Sequence, residues 1–105
     1  MFTHTMLVSF ENRISDADLD QFLSDIEKSM KETGVVRRYS ARRHVPVAGE
    51  EAIPAFIATA VLEFGVDTVE DLATMFAAPG AGEVIHTWQA RHPYKVAWVN
   101  HETEA

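Results

Sequence analysis

The sequence contains no cysteine. That excludes disulfides, thiolate metal sites and cysteine nucleophiles, and it fits a reducing cytoplasm, where the chain is expected to reside. No stretch approaches ~18–20 continuous apolar residues, so no membrane-spanning helix is expected. The start, MFTHTML, has no basic region ahead of an apolar run, and no signal peptide is expected. Basic residues are scarce: nine Lys and Arg stand against sixteen Asp and Glu, a formal net charge of −7. A surface of that sign repels a phosphate backbone, so no nucleic-acid partner is expected. GxGxxG and P-loop motifs are absent, which leaves nucleotide phosphates without a binder. HxxxH, HExxH and GxSxG are absent too. Five scattered histidines would form a metal site only by converging in space, and no metal is expected.

What is present is globular in character. Hydrophobic residues make up 47% of 105 and alternate with charge throughout. That length fits one domain, residues 1–105, with a thin margin of buried core that a partner subunit would widen. Internal repeats and low-complexity segments are absent.

Residues 2–10, FTHTMLVSF, alternate with strand periodicity: Phe2, His4, Met6, Val8 and Phe10 share the more apolar face. Residues 15–33 change to helical spacing, with Leu19, Phe22, Leu23, Ile26 and Met30 in one stripe. Ser15 is placed to cap this helix and Gly34 to end it. Strands are expected at 35–45 and 54–64, with Pro54 only at the start of the second. Asp67 or Thr68 caps a short helix carrying Val69, Leu72, Met75 and Phe76. Ala78-Pro79-Gly80 interrupts it, and a further helix spans about 81–90. The last strand is 94–100, and the tail HETEA is expected to fray. The order β-α-β-β-α-β is that of an α+β, ferredoxin-like fold: a four-stranded antiparallel sheet with its helices on one face. The open face is expected to pair with a second copy, giving a homodimer.

Candidate site residues follow from this layout, each with a plainer alternative. His4 sits among apolar neighbours. It is either a core histidine satisfied by a hydrogen bond, or an acid/base group at the floor of a cavity between sheet and helices. VVRRYSARRHV places Arg38, Ser40, Arg42 and His44 on one face and Arg37, Tyr39, Ala41 and Arg43 on the other. This is either a charged edge strand or a site where an arginine fork holds an anion. In the closing stretch GEVIHTWQARHPYKVAWVNHE, helical geometry groups Ala81, Val84, Ile85 and Trp88 toward the core. The same geometry turns His86 outward, unless the small residues before the helix let it act as a lid. On the last strand Tyr94, Val96, Trp98 and Asn100 share a face, and Trp98 is read as core.

The chain resembles the dimeric α+β barrel superfamily, in its Dabb and EthD-like branches. The stretches that carry the resemblance are FTHTMLVSF, PAFIATAVLEFGVDTVEDLATMFAAPGAGEVI and YKVAWVN. It implies a homodimer with a ligand cavity between each sheet and its helices. It also implies functional relatives among polyketide cyclases, lactone isomerases, cofactor-free monooxygenases and haem-degrading enzymes. The polyketide cyclase branch places its base just after the proline break, and Ala78-Pro79-Gly80-Ala81 has no histidine there. Only His4 matches. RRHVPVAGEEAIPAFIA and EVIHTWQARHPYKVAWVNHE are further similar to small EthD-like proteins of prodigiosin-type pyrrole pigment pathways.

Together these readings lead us to expect a cofactor-independent enzyme that promotes cyclisation or condensation of a small keto-bearing intermediate. Other enzymes of its pathway would be possible partners. His4, His86 and His44 are the acid/base candidates, Arg42 the anion-stabilising residue, and Phe76 and Trp88 the pocket-shaping aromatics. A preorganised pocket, a near-neutral base and donors for a developing oxyanion suffice for such chemistry. The rival readings are a cofactor-free monooxygenase on an aromatic substrate and a non-catalytic carrier of a labile intermediate.

Overall fold

A computed structural model describes residues 1–103. The elements run β1 (Phe2–Phe10), α1 (Asp16–Lys31), β2 (Arg38–Arg43), a short 3-10 turn (Glu50–Ala52), β3 (Ala60–Val66), α2 (Val69–Ala77), α3 (Pro79–Arg91) and β4 (Tyr94–Glu102). The sheet order is β2-β3-β1-β4, with every neighbouring pair antiparallel. This is the ferredoxin-like arrangement read from the element order, with the second helical segment divided in two.

β1 has the expected bounds, and its period-two pattern is expressed as burial: His4, Met6 and Val8 are buried while Leu7 is exposed. α1 begins at the expected cap, where the Ser15 hydroxyl accepts from the Asp18 backbone N–H at 3.1 Å. Leu19, Phe22, Ile26 and Met30 of its stripe are buried, with Leu23 partly so. The turn after α1 uses Gly34 at φ 81°, a left-handed conformation that glycine adopts without a Cβ penalty. α2 starts with a full capping box: Thr68 Oγ accepts from Asp71 N–H, and the Asp71 carboxylate accepts from Thr68 N–H. Pro79 occupies the first turn of α3, where its missing N–H costs nothing.

Several expected boundaries shift, and hydrogen-bond pairing explains each shift. β3 is Ala60–Val66 rather than 54–64, because its partners on β1 run from Val8 back to Phe2 and residues 54–58 have no strand beside them. β2 is shorter than 35–45, for Val35 and Val36 pack on the core before the ladder with β3 begins. α3 begins at Pro79, not 81. The expected fraying of the tail is corrected in part: His101 and Glu102 pair with Thr3 and Phe2, and Thr103 N–H donates to the Met1 carbonyl at 3.0 Å. The same expectation for residues 104–105 lies outside the described residues.

The core lies between the helices and the inner face of the sheet, around Phe22, Ile26, Phe64, Leu62, Met75, Val8 and Val66. Packing an amphipathic helical layer onto one sheet face leaves the other face bare. That outer face carries Leu7, Val61, Ala97 and Val99 beside Thr5, Ser40, Glu63 and Arg42.

Candidate functional site

Two strands and three helices make a cavity of about 300 Å³ on the inner side of the sheet. β1 contributes His4 and Met6, β4 contributes Tyr94, Val96 and Trp98, and α1, α2 and α3 supply the apolar roof. The register of the central pair builds the floor. His4 stands opposite Asn100, and Met6 stands opposite Trp98. Because side chains alternate across a strand, all four project to the same face.

His4 is only 4% exposed. Its Nδ1 lies 2.8 Å from the amide oxygen of Asn100. With Nδ1–H donating to that oxygen, Nε2 of the neutral ring keeps its lone pair and can accept a proton. Aromatic rings enclose the imidazole: Phe64 is stacked at 5.9 Å, Phe76 meets it edge-on at 5.1 Å, and Trp98 is tilted at 5.2 Å. Burial lowers the His4 pKa from 6.5, and the Asn100 hydrogen bond opposes that shift in part. The ring is therefore neutral at pH 7, the state a base needs.

Among the described residues no Asp, Glu, Lys or Arg lines this cavity. Its polar side chain is His4, with Asn100 behind it; Tyr94, at the start of β4, also lines it, with its hydroxyl buried. Tyr94 is clamped at its backbone by Gln89, whose amide accepts from Tyr94 N–H at 3.0 Å and donates to its carbonyl at 2.9 Å.

The six residues singled out from the sequence do not assemble. His4 and Phe76 meet in the cavity. Trp88 does not line it. Its indole is buried in the core, T-shaped to Phe22, with Nε1–H donating to Asp25 at 2.9 Å. His86 is exposed, as helical geometry alone would place it: α3 is held to α1 through Trp88 and Asp25 and through His92 and Asp18. Arg42 and His44 lie across the sheet, along a shallow groove with Leu7, Phe56, Ile57 and Val61. His44 is engaged there by Glu50 at 2.7 Å. Arg42 is out of reach of His4, because the sheet stands between them. The arginine-rich strand is an edge strand, and two arginines in it or just before it are paired locally: Arg37 with Asp67 at 3.0 Å, and Arg43 with Asp16 and Asp20 of α1.

Trp98, Asn100 and Tyr94 were not among the candidates. The sequence pattern assigns Trp98 to the core, yet it is 57% exposed and walls the cavity. The signal available was their shared strand face with Val96; the register that sets it opposite β1 was not visible in one strand alone.

Searches against family models and against curated proteins give no match. Solved structures do match over the whole chain. A Dabb family protein with a ferredoxin-like fold from Mesorhizobium loti superposes with TM-score 0.75 at 10% identity, covering 99% of this chain and 94% of that one. The hydroxynitrile lyase of Passiflora edulis gives TM-score 0.75 at 16% identity, covering 99% and 94%. An ethyl tert-butyl ether d (EthD) family protein from Bacillus halodurans gives 0.68 at 9%, covering 99% and 100%. A protein of unknown function from Thermobifida fusca, described as dimeric and ferredoxin-like, gives 0.74 at 9%, covering 97% and 90%. At such low identity the likeness speaks for architecture: the chain has the ferredoxin-like fold that Dabb and EthD family proteins share.

Proposed function

We propose that the chain is a homodimeric, cofactor-independent acid/base enzyme acting on a small keto-bearing molecule, with His4 as the base. The observation that carries this reading is the neutral His4 ring, oriented by Asn100 and enclosed by Phe64, Phe76 and Trp98 in an apolar cavity. In the proposed step, Nε2 takes a proton from the carbon beside a ketone. The electron pair moves onto the carbonyl oxygen as an enolate, and the imidazolium returns the proton after the new bond has formed. Cyclisation or condensation of a keto intermediate, including one on the way to a pyrrole pigment, uses such an enolate. The dimer has the support of similar structures described as dimeric and of the bare outer face, where Leu7 is 44% and Val99 57% exposed.

Exchange of solvent deuterium into the carbon beside the carbonyl of propiophenone, followed by NMR, tests the chemistry without the natural substrate. Wild type exchanges it faster than buffer, and His4→Gln loses about 10²–10⁴-fold of that rate. Exchange no faster than buffer, with the ketone bound, overturns catalysis in favour of a carrier protein. That second reading draws support from the lack of any charged side chain in the lining among the described residues.

A further inference from the structure

The floor of the cavity is buried, but its mouth is open and aromatic. Three rings enclose His4, and they differ in exposure. Phe64 is fully buried, whereas Phe76 is 47% and Trp98 57% exposed. Phe76 and Trp98 also lie against each other, with ring centroids 5.4 Å apart and planes tilted by 38°. A molecule that reaches His4 from solvent therefore meets these two rings. Ile85 of α3 and Val96 of β4 line the cavity and are themselves exposed, so its apolar surface continues out to the rim. Gly82 leaves the α3 side of the mouth open: a Cβ there would meet no heavy atom within 4 Å among the described residues. Water wets such a rim at a cost, and exposed apolar surface around a cavity marks a place where a ligand sits. The mouth belongs to the inner side of the sheet, so a second copy on the outer face does not cover it.

We propose that Trp98 and Phe76 determine the specificity of this cavity by selecting a ligand with a planar aromatic ring. The proposal rests on the acid/base reading of the cavity and gives that reading a substrate class, an aryl ketone. An aromatic ring gains from offset or edge-on contact with an indole and a phenyl ring beyond what burial supplies, and a saturated ring of the same size does not. The volume of about 300 Å³ admits one ring system with a short substituent. A carbonyl attached to a ring seated on Trp98 comes beside His4, whose imidazole centroid lies 5.2 Å from the indole. The mouth thus holds the ring of the substrate while the buried histidine addresses its keto group.

The test compares acetophenone with cyclohexyl methyl ketone, which carries the same methyl ketone on a saturated ring. Binding is read from the shift of the His4 ring signals in NMR titrations of wild type, Trp98→Leu, Trp98→Phe and Phe76→Leu. Wild type binds acetophenone about two- to tenfold tighter, although burial alone favours the more apolar saturated ring. Trp98→Leu loses that preference, Phe76→Leu reduces it, and Trp98→Phe, which puts a ring back, keeps part of it. The Trp88 indole N–H, bonded to Asp25 in the core, holds its chemical shift in each variant and reports an intact fold. Equal binding of the two ketones by wild type, or a preference that survives in Trp98→Leu, overturns the proposal and leaves the cavity and its base standing. Phe76→Leu carries the same test if Trp98→Leu fails to fold, and a preference unchanged there overturns the proposal. A shift of Trp98→Leu from dimer to monomer in sedimentation velocity assigns the mouth to a contact between copies and overturns it too. If neither ketone moves the His4 ring, the cavity reading itself falls and the proposal with it.

Discussion

His4 makes the stability depend on pH. Its pKa in the folded protein is lowered below 6.5 by burial, so the unfolded chain binds this proton more readily. Stability from this group is therefore full above about pH 6.5 and is lost as pH falls from there through the lowered folded value. Urea midpoints between pH 5 and 8 check this: wild type should weaken toward acid more steeply than His4→Gln. Asn100 sharpens the same point. Its hydrogen bond raises the His4 pKa against burial, so Asn100→Leu should move the ring titration further down in NMR. His86 is exposed, and His86→Ala should leave deuterium exchange unchanged. At Trp88, Phe in its place keeps much of the packing but strands the Asp25 contact, and its effect should appear in stability rather than in ligand binding.

At the scale of elements, the cavity depends on how α2 and α3 are started. α2 carries Met75 and Phe76 to the cavity and α3 carries Ala81, Gly82 and Ile85. Both are short, nine and thirteen residues, so their ends weigh heavily in their stability. Thr68→Ala removes one half of the capping box and leaves the Asp71 N–H without its partner. It should cost about 1 kcal/mol, read as a shift in urea midpoint. β2 shows the opposite economy. As an edge strand it carries charge on both faces, which blocks pairing with a further strand, while Tyr39 and Ala41 still pack inward on the core.

For the whole molecule, the thin core of a chain this small and the bare face of its sheet point the same way. Leu7, Val61 and Val99 form an apolar patch that water would otherwise cover, and Phe56 and Ile57 extend it from the loop before β3. In a dimer with two-fold symmetry the patch meets its own copy, so one substitution acts twice. Leu7→Glu should therefore convert a dimer into a monomer at micromolar concentration, read by sedimentation velocity. A wild-type monomer under the same conditions would sink the dimer.

Local periodicity carried much of this fold. The alternation of FTHTMLVSF specified both the bounds of β1 and the face that holds His4, because strand side chains alternate whatever lies beside them. Ser15, Gly34 and the Thr68 cap were equally readable, since capping is settled within four residues. The order of elements then left few topologies to choose from. What those local rules did not contain was pairing. The start of β3 depends on where β1 supplies a partner, and the ordered end of β4 depends on the same strand. The site shares this origin. His4 could be placed on an apolar face from its neighbours, but Asn100 is 96 residues away in sequence. Only the register of β1 against β4 sets that amide beside the imidazole and brings Trp98 over it. Arg42 and His44 were excluded in the same way: their side chains belong to the far face of a sheet whose two sides a single strand cannot tell apart.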